Sequence, residues 1–402
     1  MQIHHRRLIA TASLSILLAM SGAVSLLRAD TGTCGNTSVT LPFIDVTGNQ
    51  FFCQIAAAYF SGLTSGAGLA SYNPAGIVSR DQMAAFITRT LDQSVKRGSQ
   101  RAALKQFWMP HDSFKVPLTT VGNHPLGVAC DGADLWVANS GDGTVSRVRA
   151  SDRKLLETWT GATAAERVLV AKGRIYVLGG SNGPAKLYRI DPTQPAGAVT
   201  TLNVNLGVGT ADIAFDGDRI WLTNGGGGIH LVSFSQNCNP CATPVTTGLF
   251  APIGLVYDGA NMWVTDSGEM KLKKLDASGA VIQSVAVGPN PRYPAFDGTN
   301  IWVPNGQSAS VTVVRASNGT VVATLTGNGL DYPREVAFDG ERVLVTDEAG
   351  GPGNTVSLWK ATDLSPLGSF QVSAGADGVY GVCSDGLNFW ITLSQAGKLA
   401  RF

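Results

Sequence analysis

Charge of either sign is scarce in this chain: only 15% of its 402 residues are Asp, Glu, Lys or Arg, and the formal net charge is +1. Without residues 1–29, which carry Arg6, Arg7 and Arg28 and no acid, 27 basic side chains face 29 acidic ones, a net of −2. No basic stripe remains to neutralise a run of phosphates, which excludes a nucleic-acid partner. Histidine is also sparse: the five are His4, His5, His111, His124 and His230, and no His-Glu pairing or paired-carboxylate motif accompanies them. After Leu27 there is no apolar run long enough to span a bilayer. No Ser-His-Asp, metal-ligand or phosphate-cradling pattern is present, so no catalytic residue, metal or cofactor is assigned.

Glycine is abundant instead, at 48 positions, as expected of a turn-rich β protein. The strongest pattern is a phrase, apolar-Asp-Gly-x-x-apolar-Trp-apolar. It occurs around Asp131–Trp136, Asp216–Trp221, Asp258–Trp263, Asp297–Trp302 and Asp385–Trp390, with Leu344 replacing Trp after Asp339 and a degenerate copy at Lys172–Tyr176. From Asp131 through Lys172, Asp216, Asp258, Asp297, Asp339 and Asp385 the intervals are 41, 44, 42, 39, 42 and 46 residues. One aromatic per unit of ~40–45 residues marks a β-propeller blade, and the seven units predict a mainly β, seven-bladed propeller over residues 113–402. Asp-Gly is hairpin chemistry, so the aspartates read as turn formers before any calcium or catalytic role. The Trp side chains read as wedges between blades. The chain ends roughly three strands into the last unit. Residues 114–122 therefore supply the missing outer strand, removing the free edges at the join.

The N-terminus reads as an export signal over residues 1–29: His4, His5, Arg6 and Arg7 precede an apolar stretch from Leu8 to Leu27, with cleavage after Ala23 or Ala29. An uncleaved anchor is the competing reading of this stretch. Six cysteines suit an oxidising compartment. Cys34 and Cys53 are placed to staple a small N-terminal domain, and Cys238 and Cys241 a local hairpin. Cys130 and Cys383 fall one position out of register in the repeat, which predicts side chains facing opposite ways and buried free thiols.

Residues 34–91 are built differently. Thr47…Gln50 and Ser79…Gln82 have capping-box spacing. Phe51, Phe52, Ile55 and Tyr59 follow the first at helical spacing, with Gly62 as a C-cap; Met83, Phe86, Ile87 and Leu91 follow the second. Residues 92–112 read as a solvated helical linker. Taken in order, Phe43-x-Asp45-Val46, Ile55-Ala56…Tyr59, Gly62-Leu63-Thr64-Ser65-Gly66, Tyr72-x-Pro74 and Val78-Ser79-Arg80-Asp81-Gln82 resemble one S-layer homology module. The resemblance implies a helical domain in which Asp45, Arg80 and Gln82 contact cell-wall polysaccharide. The wall-binding form has three modules and this chain shows one, which leaves a docking or assembly role open; a further reading has Arg80 and Gln82 simply capping and solvating a helix.

Trp136-Val137-Ala138-Asn139 and Trp221-Leu222-Thr223-Asn224 resemble the YVTN and NHL propeller classes. The streptogramin lyases are seven-bladed relatives that use His and Glu with a metal in the upper funnel, and no such pairing carries over to this sequence. Four and five positions before each Asp-Gly slot lie side chains expected near the axis. Half are Gly, Ala, Val, Leu or Ile. Arg292, Tyr293, Arg334, Glu335 and Tyr380 depart from that filler in three consecutive units, and Arg167 and Asp212 in two others. The first five are the candidate ligand site, for a carboxylate, sugar or peptide backbone, with Asp266, Glu269, Asp347 and Glu348 as an acidic rim; a surface network that merely solvates the funnel is the alternative. Together these readings predict an exported, envelope-associated, non-catalytic binding propeller with a polysaccharide or protein partner. An extracellular lyase or hydrolase, or a purely structural envelope protein, are the alternatives.

Overall fold

The computed structural model describes residues 29–34, 37–60, 64, 67, 70–76, 83, 116–180, 183–224, 226–235, 238–348, 354–373, 375 and 377–402. The signal segment, the linker, the predicted second helix with Arg80 and Gln82, and His111 lie outside these residues, apart from Met83, which is helical. The chain divides into two units, Met1–Ser94 and Val95–Phe402.

The described part of the small unit pairs a two-stranded hairpin, Asp30–Cys34 with Thr37–Leu41, with one helix, Phe52–Phe60. A wholly helical domain is therefore not supported. Leu41, Phe43, Val46, Phe52, Ile55 and Ala56 form its core. The disulfide Cys34–Cys53 joins hairpin to helix, as expected. The predicted capping box is not used: at the helix start, Asn49 Oδ1 accepts the Phe51 N–H at 2.8 Å.

The larger unit is a seven-bladed propeller of four-stranded antiparallel sheets. The inner strands are Pro125–Cys130, Ala165–Ala171, Thr210–Phe215, Pro252–Tyr257, Ala295–Phe296, Pro333–Phe338 and Val379–Ser384, defining blades 1 to 7. Leu118–Thr120 pairs with Lys398–Arg401 as the outer strand of blade 7, closing the ring with an N-terminal strand as the sequence implied. The core lies between blades. Trp302 of blade 5, for example, packs with Val336, Val343, Val345 and Trp359 of blade 6.

The repeated phrase acts as one hydrogen-bonded unit on the lower face. In each complete copy the Asp carboxylate accepts the N–H groups two and three residues on, closing the turn. In Asp131, for instance, Oδ1 accepts from Ala133 at 3.0 Å and Asp134 at 2.7 Å. The other oxygen accepts the indole N–H of the following Trp: Asp131–Trp136 at 2.9 Å, Asp216–Trp221, Asp258–Trp263 and Asp297–Trp302 at 2.7 Å, and Asp385–Trp390 at 2.8 Å. The turn glycine sits at φ +97° in Gly132 and +102° in Gly340, which a side chain would strain. Where Leu344 replaces Trp, Arg342 Nε donates to Asp339 at 2.8 Å and keeps the carboxylate satisfied.

A second device fixes the upper face. In blades 1, 2, 3, 4, 6 and 7 the register between inner and second strand shifts near the inner strand's upper end, as between Thr210 and Ile213 or Pro333 and Val336. Such bulges re-aim side chains and free backbone groups. A threonine two residues after the Trp position, filled by Leu344 in blade 6, collects those groups in four blades. Thr346 Oγ1 accepts the Glu335 N–H at 3.1 Å and donates to Tyr380 O of the next blade at 3.1 Å. Thr223, Thr265 and Thr392 make the equivalent pairs.

Cys130 and Cys383 are free, and only partly buried. They do not face apart: both pack on one cluster with Val128, Leu135 and Trp390, between blades 7 and 1. Alternation predicts opposite faces only within one sheet. Neighbouring blades stack face on face, so opposite parity turns two side chains toward the same interface. Burial above all, with Cys130 adding to it, pushes the Cys383 thiol well above its usual range.

Candidate functional site at the upper mouth

The aligned positions at the upper ends of the inner strands place their side chains around the upper end of the axis. Arg334 is 4% exposed, its guanidinium 3.3 Å from the Tyr380 ring centre and 5.4 Å from that of Tyr293. It pairs with Glu348, on the loop after the second strand of blade 6. Arg292 turns to Tyr332, 5.4 Å from that ring centre, and donates from Nη2 to the phenol oxygen at 3.0 Å. Tyr293 and Glu335 lie in adjacent blades as bridge partners. The structure thus brings Arg334, Tyr293 and Tyr380 together. Arg292 sits beside them on Tyr332, a residue the repeat comparison overlooked because it lies outside the two aligned positions.

Glu335 serves the axis rather than the mouth. Its carboxylate accepts Arg167 Nη1 at 2.7 Å, linking blade 6 to blade 2. Arg167 is 6% exposed, stacks 3.6 Å from the Tyr293 ring centre, lies 3.9 Å from Asp212 and donates to Ala211 O at 3.2 Å. Burial works against the Arg167 charge, but Tyr293, Glu335 and Asp212 hold its pKa well above the usual value. Burial pushes Asp212 up to about 6, against the pull of Arg167. Both Arg167 and Asp212 were visible as polar departures in the repeat comparison. Grouping by consecutive blades set them aside, although an arginine is long enough to cross the axis.

The expected acidic rim is corrected in two of its four members. Asp266 and Asp347 are fully buried. Asp266 accepts N–H from Phe250 at 2.8 Å, Ala251 at 2.9 Å and Lys273 at 2.7 Å; Asp347 accepts N–H from Asp331 at 2.6 Å and Tyr332 at 2.7 Å. They shape the loops leading into blades 4 and 6. Burial tends to raise the Asp266 pKa, but the bonds from Lys273, Ala251 and Phe250 hold it below the usual value. Glu269 goes to Lys273, which leaves Glu348 as the rim acid at the mouth.

In the small unit, the Asp45 carboxylate accepts Ser71 Oγ at 2.6 Å and the N–H groups of Tyr72 and Asn73 at 2.8 Å each. It clamps its own loop. Cys241 is disulfide-bonded, and the Cys238 side chain lies outside the described residues. His124 bonds Ser140 and His230 bonds Asn224, in separate blades. Among the described residues, no three His, Cys, Asp or Glu side chains gather to hold a metal ion, and no helix is long and apolar enough to cross a membrane.

No protein-family model matches the chain, and no curated protein does. Solved structures share the propeller. Virginiamycin B lyase from Staphylococcus aureus, in a catalytically inactive histidine-to-alanine variant with quinupristin, is 14% identical with a TM-score of 0.59 over 72% of this chain and 98% of that one. A streptogramin B lyase structure is 16% identical, TM-score 0.57, over 72% and 97%. Hydrazine synthase of Kuenenia stuttgartiensis is 15% identical, TM-score 0.57, over 73% and 98%. At these identities the likeness concerns the fold, which serves unrelated activities.

Proposed function

We propose that the protein is an exported, envelope-associated propeller that binds a ligand at its upper mouth without transforming it. One observation carries this reading: aligned positions of three consecutive blades bring Arg334, Tyr293 and Tyr380 into a single stacked group beside Arg292, at sites where blades 1 and 4 carry only glycine or aliphatic residues. Aromatic faces with forked N–H donors suit a carboxylate, a sugar or a peptide backbone. The Cys34–Cys53 disulfide fits an oxidising compartment. Display at the envelope is the task assigned to the small unit with its S-layer-homology resemblance, through polysaccharide or a protein partner. Since Asp45 is engaged by its own loop, glycan contact there falls to Arg80 and Gln82.

The test is retention of the full chain carrying Arg80→Ala/Gln82→Ala, which takes the small unit's own glycan contact away, with and without Arg334→Gln/Tyr293→Ala, on purified envelope polysaccharide and on envelope protein extract. Loss of retention on adding the mouth pair, in a variant that still melts cooperatively, supports the reading; unchanged retention sinks it. A lyase is the second reading, favoured by the shared fold with the streptogramin B lyases. Turnover of a streptogramin B substrate by the purified protein would establish it in place of the first.

A further inference from the structure

We infer that the upper mouth is built for a carboxylate on an apolar body, and that Glu348 occupies the place this carboxylate takes when bound. The inference rests on the mouth being the ligand site and names the class of ligand. Two guanidiniums border it, Arg292 on Tyr332 and Arg334 on Tyr380 and Tyr293, and each has a buried Nε without a hydrogen-bond partner. The acids close to them are committed elsewhere, except one. Glu335 is held by Arg167 and Asp347 by two loop N–H groups. Glu348 pairs with Arg334 and also acts on the charge of Arg292, yet its side chain is 35% exposed.

Its backbone is fixed, with the N–H donating to Tyr332 O at 3.0 Å, so the side chain alone swings away. The mouth then offers two forked cations and no acid of its own. A carboxylate, planar with two acceptor oxygens, matches that arrangement better than a neutral group does. Swapping one carboxylate for another keeps the buried arginine paired throughout, which avoids stranding a desolvated charge.

The apolar body follows from the loops of blades 3 and 4. On the upper face, the large apolar side chains left exposed among the described residues are Val208 at 60%, Phe250 at 69% and Met270 at 50%. They lie on loops leading into blades 3 and 4 and after the second strand of blade 4. Met270 O accepts the Val287 N–H at 3.0 Å, which ties it to the start of the loop that carries Arg292. Around the ring, therefore, an apolar arc runs into the cationic one. An aryl or alkyl acid and a peptide C-terminus both fit this chemistry.

The full protein is titrated calorimetrically with 3-phenylpropionate and 3-phenylpropionamide, then with acetyl-Ala-Phe bearing a free or an amidated C-terminus. The acid is expected to bind and its amide not. Glu348→Gln removes an exposed competitor and tightens acid binding about tenfold, while Arg292→Gln weakens it at least about tenfold, the scale of one charge-assisted contact. Binding of the free-terminus peptide in preference to phenylpropionate supports the inference with a peptide as the source. Equal binding of acid and amide, no acid binding, or weaker acid binding by Glu348→Gln overturns it. If the acids fail while the Arg334→Gln/Tyr293→Ala variant still loses retention on envelope material, only the ligand class falls. If retention is also unchanged, the mouth as a site falls with it.

Discussion

The two ends of each inner strand answer to different constraints. At the lower end, a turn aspartate ties its own N–H groups to the indole of the next strand, and five blades do this with nearly the same geometry. At the upper end, a bulge and a threonine hold the backbone equally firmly in four blades, yet the side chains range from glycine to arginine. Constancy below reports folding. Variety above, on a backbone held just as well, reports the site.

Four predictions test that contrast, from the largest effect downward. Trp302→Ala and Trp263→Ala, each removing a fully buried ring, should cost about 3–5 kcal/mol by denaturant unfolding, and similarly in both blades. A large gap between them would break the equivalence of the lower ends. Arg167→Met should cost a similar ~3–5 kcal/mol, because it leaves Glu335 and Asp212, side chains only 14% exposed, without their cation. Adding Glu335→Gln should recover much of the loss; no recovery would mean that the link across the axis is not what holds the upper end.

The third concerns pH. Asp212 keeps its proton to about pH 6 in the fold, against 3.8 for the ordinary carboxyl. Between those values the native state holds a proton the unfolded chain has released, so this group's contribution to stability falls as pH rises. The melting temperature of Asp212→Asn relative to the natural protein should climb from pH 4 to 6 and then level off; a flat difference would remove Asp212 from the axial network. The smallest effect is expected from Thr346→Val, which gives up one bond to the Glu335 N–H within blade 6 and one to Tyr380 O of blade 7 for ~1–2 kcal/mol. Melting curves that coincide would show that the bulge holds itself.

The fold was legible because a propeller repeats one solution. Asp, Gly and Trp recur at fixed offsets, and the count and closing strand followed from their spacing. The hydrogen bond between Asp and Trp was not foreseen, since the turn alone accounts for the aspartate. The site was legible in part: polar departures at aligned positions pointed to Arg334, Tyr293 and Tyr380, while Arg167 and Asp212 were grouped by blade order and so missed. Asp266 and Asp347 were misread because sequence does not separate a rim carboxylate from one turned inward to cap a loop. Cys130 and Cys383 were misread because parity was carried from one sheet to its neighbour.

By itself, then, the sequence determined the repeat, the blade count, the turn chemistry and the Cys34–Cys53 staple, because each depends on residues at short or regular spacing. Which side chains meet at the axis was decided only by the tertiary structure. Closing the ring sets blade 2 opposite blade 6, and the pairing of Arg167 with Glu335 exists only once that closure has brought together positions far apart along the chain.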